Sequence, residues 1–276
     1  MVGVVMNGMN RFLARACAAA AGVALSTAVV TAASASGGGG VTIHRGALGP
    51  AGVAAGRGGV LRPASNDHAI GRSAAPVNNR YFAGYQAAVA TGSATVAAAS
   101  FTVPALPCTT ADLAISPDAG VAVNNYKTAS VAGVITGCSN GTAVYFPFLV
   151  INGSETDYPK TPFAAGDTVD LITKVSTNRT SVQVTDVTKN LTTRLTGAGA
   201  SANLGWIGDD SASNGSTLLG VPNFGKLTFK NCSIDYKALS GWHPQQVQRV
   251  NGSTVQITTG GFWPGGTAFT THYQHS

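Results

Sequence analysis

The sequence predicts an all-β protein, a β-sandwich or a β-barrel, and three observations support this prediction. From Asn78 onward, short stretches of alternating apolar and polar residues recur at intervals of roughly ten residues, separated by Gly, Asn, Asp and Pro. β-Branched residues are common, whereas the helix formers Glu, Lys, Leu and Met are scarce. No helical periodicity follows the first 35 residues.

Residues 1–35 have the pattern of a secretory signal peptide. Arg11 and Arg15 precede an apolar run over 16–31, and an A-x-A cleavage sequence follows at 33–35. The apolar run is too short to be a comfortable membrane span, and no other segment is apolar enough. We therefore expect a secreted, extracellular protein that has no membrane contact after cleavage.

The next segment, 36–77, is rich in Gly, Ala, Ser, Arg and Pro and has almost no aromatic residues. Such a composition cannot bury enough apolar surface to offset the entropy of ordering. We expect a disordered linker, and a propeptide that is removed during maturation is the alternative. The folded domain is then predicted to cover 78–276.

The candidate strands of this domain are short, and their alternation defines two faces. In "TSVQVTDVT" (180–188), Val182, Val184 and Asp186 share one face, while Gln183 and Thr185 share the other. Similar stretches are "YFAGYQAAVA", "TVAAASFTVP", "AGVAVNN", "TAVYFPFLVI", "DTVDLITKVS", "LTTRLTG", "KLTFKNCSI", "STVQITT" and "TAFTTHYQ".

Composition and motifs argue against several function classes. Charged residues make up only 10% of the chain, and no basic patch with interleaved aromatic residues suggests nucleic-acid binding. No CxxC or HxxxH pair predicts a metal site, and no G-x-S-x-G elbow accompanies His243. Asp209 and Asp210 suggest either a cation site or an ordinary acidic surface loop, and the loop is favoured because no EF-hand spacing is present.

Seven fragments between residues 78 and 275 resemble one known family in their order and spacing. They are "FAGYQAAV" (82–89), "ASFTVPALPC" (99–108), "AAGDTVDLITKV" (164–175), "TSVQVTDVTKN" (180–190), "ANLGWI" (202–207), "VPNFGKLTFKNCSI" (221–234) and "GTAFTTHY" (266–273). Together they resemble the secreted glutamic endopeptidases of the eqolisin family, in its bacterial branch. The resemblance implies a two-sheet antiparallel β-sandwich of the concanavalin-A-like or jelly-roll type, with a concave active-site face.

The resemblance also implies peptide-bond hydrolysis at acid pH. In that family a Glu acts as general base toward water, and a Gln amide stabilises the oxyanion. The expected partner is a polypeptide substrate, and we expect a monomer that needs no cofactor or metal.

The residues at the matching positions do not support this chemistry. Counting back from Cys138, the family Gln falls on Val131, and an upstream family Asp falls on Ala122. The family Glu falls on Leu149, or on Pro147 if a small gap is allowed. None of these side chains can act as a base, so we expect a weak or inactive member, a pseudoenzyme whose concave face binds a peptide or a glycan.

Glu155 offers the alternative, because it is the single Glu in the chain. The stretch "GSETDYP" (153–159) echoes the family's Glu-x-Tyr-Pro segment. An active acid endopeptidase with a displaced dyad would have to use Glu155. The simpler interpretation is a solvated loop acid, since exposed carboxylates are the norm.

Aromatic residues from segments that line or flank the family's concave face are candidates for a binding platform. Strand alternation should send about half of them to the core, and the rest would be available to a peptide or a sugar. These candidates are Phe82, Tyr85, Tyr126, Tyr145 and Phe148.

The cysteines predict one disulfide. Cys108 and Cys138 lie near the ends of two adjacent strand patterns, and the resemblance implies that these strands are neighbours. An exported chain meets oxidising conditions, so this pair should form a disulfide and leave Cys232 free.

Overall fold

The structure is a computed structural model that describes residues 44–45, 75–91, 95–123, 128–161, 163–214 and 217–276. The described part of the chain contains eighteen strands and no α-helix. In chain order the strands are β1 (His44–Arg45), β2 (Val77–Asn79), β3 (Phe82–Ala88), β4 (Thr95–Thr102), β5 (Leu113–Val123), β6 (Thr128–Ser139), β7 (Thr142–Ile151), β8 (Ser154–Asp157), β9 (Thr168–Val175), β10 (Arg179–Asp186), β11 (Leu191–Ala198), β12 (Leu204–Asn214), β13 (Thr217–Leu218), β14 (Lys226–Ile234), β15 (Lys237–Ala238), β16 (Gln245–Asn251), β17 (Thr254–Thr259) and β18 (Phe269–Tyr273).

The strands form two layers. The first sheet has the order β8-β7-β6-β5-β12-β3-β16-β17-β18, and all of these neighbours are antiparallel. The second sheet has the antiparallel order β14-β4-β9-β10-β11. Strand β14 links the layers, because its first half pairs with β18 and its second half with β4. β2 adds a short parallel pairing to β16.

The central core lies between the two sheets. It takes buried side chains from the first sheet, such as Ile115 and Ile207, and from the second sheet, such as Leu171 and Val184. Alternation explains this arrangement, because every second residue of a strand points to the same face. In β10 the odd and even positions separate as the sequence predicts, with Val182, Val184 and Asp186 buried.

Two hairpin turns fix the register of β6, β7 and β8. Asn140 and Gly141 join β6 to β7, and Asn152 and Gly153 join β7 to β8, all four with positive φ. Two-residue Asn-Gly turns of this kind suit the right-handed twist of the flanking strands. A slip by one residue would reverse the face of every side chain, so these turns decide which residues of β7 and β8 share a face.

The predicted disulfide is present. Cys108 and Cys138 are bonded, with their Cα atoms 5.4 Å apart, and Cys232 is free and buried. The bond ties the segment after β4 to the end of β6. Within the described ranges, no helix is long and apolar enough to span a membrane.

Candidate functional site

A second buried cluster lies on the face of the first sheet that does not contribute to the central core. We call it the Trp206 face, and its members come from the first sheet and its connections. The larger side chains of the cluster are Phe82, Val131, Phe146, Phe148, Val150, Trp206 and Val247. This is the face on which the predicted Gln position, Val131, lies.

The register places a row of side chains across this face at Val131. Val131 is directly opposite Val150 on β7 and Gly120 on β5, and Gly120 is opposite Trp206 on β12. A Cβ atom at Gly120 would lie only 2.2 Å from Cζ2 of Trp206. The absence of a side chain at Gly120 therefore lets the indole ring lie across β5, beside Val131.

The adjacent row carries a carboxylate. Asp118 is opposite Gly133 on β6 and Gly208 on β12. Nε1 of Trp206 donates a hydrogen bond of 3.0 Å to Oδ1 of Asp118, and both residues are fully buried. A Cβ atom at Gly133 would lie 2.4 Å from the ring of Phe148 and 2.8 Å from Cβ of Asp118, so glycine here makes room for both groups.

Further carboxylates lie at the end of the face that β8 forms. Glu155 is opposite Val150, and Asp157 is opposite Phe148. Directly opposed residues of an antiparallel pair share a face, so both acids belong to the Trp206 face. Glu155 is half-buried in strand β8 rather than in a solvated loop, so the simpler interpretation of this residue is wrong.

Asp209 and Asp210 are fully buried in β12, so the surface loop that we favoured for them is wrong. Asp210 follows Trp206 by four residues and shares its face, whereas Asp209 points to the opposite face. There, Oγ1 of Thr271 donates a hydrogen bond of 2.5 Å to Oδ2 of Asp209. Burial raises the pKa of Asp209 to about 7, although the Thr271 hydrogen bond and the Arg249 charge oppose this rise.

Arg249 supplies a positive charge near Asp210 and Asp209. Its side chain is buried, and Nη2 donates a hydrogen bond of 3.3 Å to the carbonyl oxygen of Leu219. Burial lowers the pKa of Arg249 to about 10, while Asp210 and Asp209 act in the opposite direction. Arg249 is still protonated at neutral pH and balances part of the buried negative charge.

The two predicted dyad positions, Val131 and Leu149, do not share a face. Leu149 belongs to the central core, and Pro147 shares its face, because Pro147 pairs with the core residue Val134. Val131 lies on the opposite face of the same sheet. Two catalytic groups on neighbouring strands must share a face to reach one water molecule, so Val131 and Leu149 cannot be the equivalents of one dyad.

The aromatic candidates divide between the two faces. Phe82 and Phe148 lie on the Trp206 face. Tyr85 and Tyr145 pack against the central core instead, so their assignment to the binding platform is wrong. The hydroxyl group of Tyr85 donates a hydrogen bond of 2.9 Å to the carbonyl oxygen of Gly260, which anchors it inside the sandwich. Tyr126 lies outside the described residues.

Sequence analysis missed three residues of this face. Asp118 lies inside β5, whereas the predicted stretch "AGVAVNN" begins only at Ala119. Trp206 was matched only as part of a family fragment. Gln86, a buried amide directly opposite Trp206, could have been found from the alternation that it shares with Phe82 in β3.

Residues 80–267 match the profile of the Peptidase A4 family. Among solved structures, the chain is similar to scytalido-glutamic peptidase with a transition state analog inhibitor, with a TM-score of 0.60 and 13% identity over 71% of this chain and 98% of that chain. It is also similar to SCP-B, a member of the eqolisin family of peptidases, in a complex with the tripeptide Ala-Ile-His, with a TM-score of 0.56 and 15% identity over the same shares of the two chains.

A search of the curated proteins found no match. At such low identities the likeness to the solved structures is one of fold. It confirms the predicted two-sheet antiparallel β-sandwich.

Proposed function

Because the chain belongs to the Peptidase A4 family of eqolisin glutamic peptidases, we propose that its Trp206 face is a peptide-binding site that has lost the family's hydrolytic activity. The supporting observation is the row of residues around Val131. The side chain at this position is apolar, and its neighbours across the sheet are Val150, Gly120 and Trp206. In the described part of this row the Glu155 carboxylate and the Gln86 amide lie at opposite ends, with Val150, Val131, Gly120 and Trp206 between them.

The carboxylate diagonal to Val131 is poorly suited to be a general base. A base must be ionised and must reach the attacking water. Asp118 is fully buried, and its Oδ1 accepts the Trp206 indole hydrogen bond. This arrangement favours a structural carboxylate that orients the indole ring.

Peptide binding agrees with the chemistry of the face. The rings of Phe82, Phe148 and Trp206 are fully buried, so they can pack against apolar side chains of a ligand only if the face opens. The glycine positions Gly120 and Gly133 keep the sheet surface flat beneath these rings. Asp157 and Glu155 can attract a basic group at the β8 end. The tripeptide and peptide-like ligands of SCP-B and scytalido-glutamic peptidase support the choice of a peptide.

One observation favours a second candidate, an acid endopeptidase with a displaced dyad. Gln86 provides an amide on the same face as Asp118 and Glu155. However, Gln86 is opposite Trp206, and the indole ring bonds to Asp118. The indole ring therefore already occupies one oxygen of the Asp118 carboxylate, which makes binding without cleavage the better proposal.

The experiment measures cleavage and binding with the full chain expressed for secretion. The purified protein is incubated with a denatured protein substrate at about pH 3, where a fraction of a carboxylate base is still ionised. We expect no cleavage above the blank, and we expect saturable binding of fluorescent peptides that carry apolar and basic residues. Binding should weaken in a Phe148→Ala variant.

Matched variants decide between the two candidates. Cleavage that disappears in Asp118→Asn, Gln86→Ala or Glu155→Gln, but survives in Asp170→Asn, would establish an active peptidase. Asp170 is a suitable control because it lies on β9 of the second sheet, where it accepts a hydrogen bond from Ser100. Binding of glycans but not of peptides would instead overturn the choice of ligand.

We also propose that the protein is secreted and extracellular, since residues 1–35 carry a signal-peptide pattern. Mass spectrometry of the protein from the culture medium should find an N-terminus after residue 35.

A further inference from the structure

Two buried side chains that carry hydrogen-bond donors lie where β2 meets β16. Asn79 of β2 is directly opposite Arg249 of β16, and paired residues of neighbouring strands point to the same face. Arg249 is two residues beyond Val247, which is a member of the buried cluster of the Trp206 face. Both side chains therefore lie at the β16 end of that face.

The guanidinium group of Arg249 has more donors than the described part of the chain uses. Arg249 and Asn79 are only 3% and 5% exposed. Nη2 of Arg249 donates its hydrogen bond to the carbonyl oxygen of Leu219, but among the described residues Nε and Nη1 have no hydrogen-bond partner. Buried donors without a partner cost free energy, and the cost is larger for a charged group, so these donors indicate an acceptor.

The turn after β2 fixes the orientation of the Asn79 amide. Oδ1 of Asn79 accepts a hydrogen bond of 2.7 Å from the backbone N–H of Tyr81. Nδ2 therefore points away from this turn, and within the described ranges it also has no partner. An amide nitrogen beside a guanidinium group presents donors only, and such a set favours an acceptor that carries negative charge.

The charges around Arg249 also favour an anionic ligand. Burial is the main cause that lowers the pKa of Arg249, and the charge of Arg80 acts in the same direction, whereas Asp210 and Asp209 oppose it. Burial raises the pKa of Asp209 to about 7, so this acid is mostly protonated at acid pH. The two arginines then outnumber the ionised acids, and an anion near both of them reduces their repulsion.

The pair lies just below the surface of the domain. Asn78 and Arg80, the chain neighbours of Asn79, are exposed, and so are Asn251 and Gly252 in the β16–β17 hairpin. A carboxylate group therefore has a short path to the pair from the β2 side.

We propose that Arg249 and Asn79 bind a carboxylate group of a peptide ligand at the β16 end of the Trp206 face. The carboxylate oxygens accept hydrogen bonds from the guanidinium and amide groups, and they belong either to the C-terminus of the peptide or to an acidic side chain. The choice of a peptide rests on the proposed function. The carboxylate site does not depend on it, because a small carboxylate can serve as the probe.

Matched fluorescent peptides test the proposal in the full chain. The peptides share one sequence of apolar and basic residues and end in a free carboxylate, in an amide, or in an amide with one Gln near the C-terminus replaced by Glu. We expect at least one of the two acidic forms to bind about tenfold more tightly than the plain amide, as a charge-assisted hydrogen bond would give. A gain in only one form identifies the source of the carboxylate. Equal affinities of all three peptides overturn the inference and leave the proposed function standing.

Asn79→Asp is the variant that tests the site itself. It keeps the Oδ1 acceptor for Tyr81 and replaces the Nδ2 donor by a second oxygen, so it should remove the preference for the acidic peptides. Asn78→Asp is the matched control, because it makes the same change of charge one residue away on the opposite face, where Oδ1 of Asn78 accepts a hydrogen bond from Gln248. The control should keep the preference. A loss in both variants, or in neither, overturns the inference.

Sodium acetate is a probe that does not require peptide binding. In NMR spectra of the isotope-labelled protein, acetate should shift the Nε–H signal of Arg249 and the side-chain amide signal of Asn79 in a saturable way, whereas the neutral analogue acetamide should not. If no peptide binds but acetate shifts both signals, the proposed function fails and the carboxylate site stands. If no peptide binds and acetate shifts neither signal, the carboxylate site is wrong as well.

Discussion

At the scale of single residues, the buried acids of β12 are the most unusual feature of this protein. Asp209 and Asp210 are adjacent, fully buried and on opposite faces of one strand. A buried carboxylate is costly unless it is paired, hydrogen-bonded or protonated. Arg249 supplies a positive charge, and Thr271 donates a hydrogen bond to Asp209. The raised pKa of Asp209 means that this carboxyl group can also remain protonated.

The Asp209→Asn substitution should weaken the dependence of stability on pH. The pKa of Asp209 is about 7 in the folded protein and 3.8 ordinarily. Between these values the folded state keeps a proton that the unfolded state has lost, so the free energy of unfolding falls as the pH rises. The difference corresponds to roughly 4 kcal/mol.

Urea denaturation at several pH values across this window measures the effect. The parent should be more stable near the acid end of this window. In Asp209→Asn the free energy of unfolding should change less across the window, by several kcal/mol at most. Asp170→Asn serves as the control, and its profile should follow that of the parent. A parent that becomes less stable on acidification to pH 5, together with an unchanged Asp209→Asn profile, would contradict this account.

At the scale of elements, local signals and one covalent bond set the register of the first sheet. The Asn-Gly turns at Asn140 and Asn152 require positive φ, and they place Phe148, Val150 and Glu155 on one face. The disulfide from Cys108 to Cys138 then fixes the end of β6 to the segment that follows β4. The C-terminal end of strand β6, which carries Val131, is therefore fixed by both a turn and a disulfide.

The Cys108→Ser, Cys138→Ser double variant should be less stable by roughly 3–4 kcal/mol, because the bond closes a loop of about 30 residues in the unfolded chain. Thermal and urea denaturation of the parent and the variant measure the loss. Cys232→Ala removes the buried free thiol without changing this loop, and it should give a different, smaller effect. No loss in the double variant would mean that the tertiary contacts alone hold β6.

At the scale of the whole molecule, the first sheet contributes one face to the central core and the other to a second buried cluster. The Trp206 face contains the predicted Gln position, Val131, and its central row is apolar. The family's chemistry needs an amide and a carboxylate on one face, and strand register decides which positions qualify. Val131 and Trp206 qualify, because they lie on the same face on either side of Gly120.

The Val131→Gln, Trp206→Glu double variant should gain acid-pH cleavage of a denatured protein. Its two long polar side chains would share one face across Gly120. The base and the oxyanion donor each contribute about 10²–10⁴ in rate, so even a partial gain should be detectable above the parent. Circular dichroism confirms folding before the assay.

The control is Val131→Gln with Leu149→Glu, which places the carboxylate in the central core. This variant should be inactive, because its amide and its carboxylate lie on opposite faces of the sheet. Activity in the control but not in the Trp206→Glu variant would show that the face assignment is wrong. If both double variants fold but neither cleaves the substrate, Val131 and Trp206 are not supported as dyad positions.

The sequence by itself determined the all-β class and the strand alternation, and together with the family resemblance it indicated the Cys108–Cys138 disulfide. These features depend on local backbone preferences and on residue spacings that can be recognised in the sequence. The resemblance to eqolisins also rested on short fragments in order, and the family match and the fold confirm it.

Only the tertiary structure decided which face each strand residue occupies. Alternation separates Tyr85 from Gln86, and Leu149 from Val150, but it does not say which of each pair meets the other sheet. That choice depends on the packing of distant strands, such as β9 against β5, which no local pattern records. The same packing buries Asp209 and Asp210, because the second sheet, Arg249 and Thr271 approach β12 only in the folded chain.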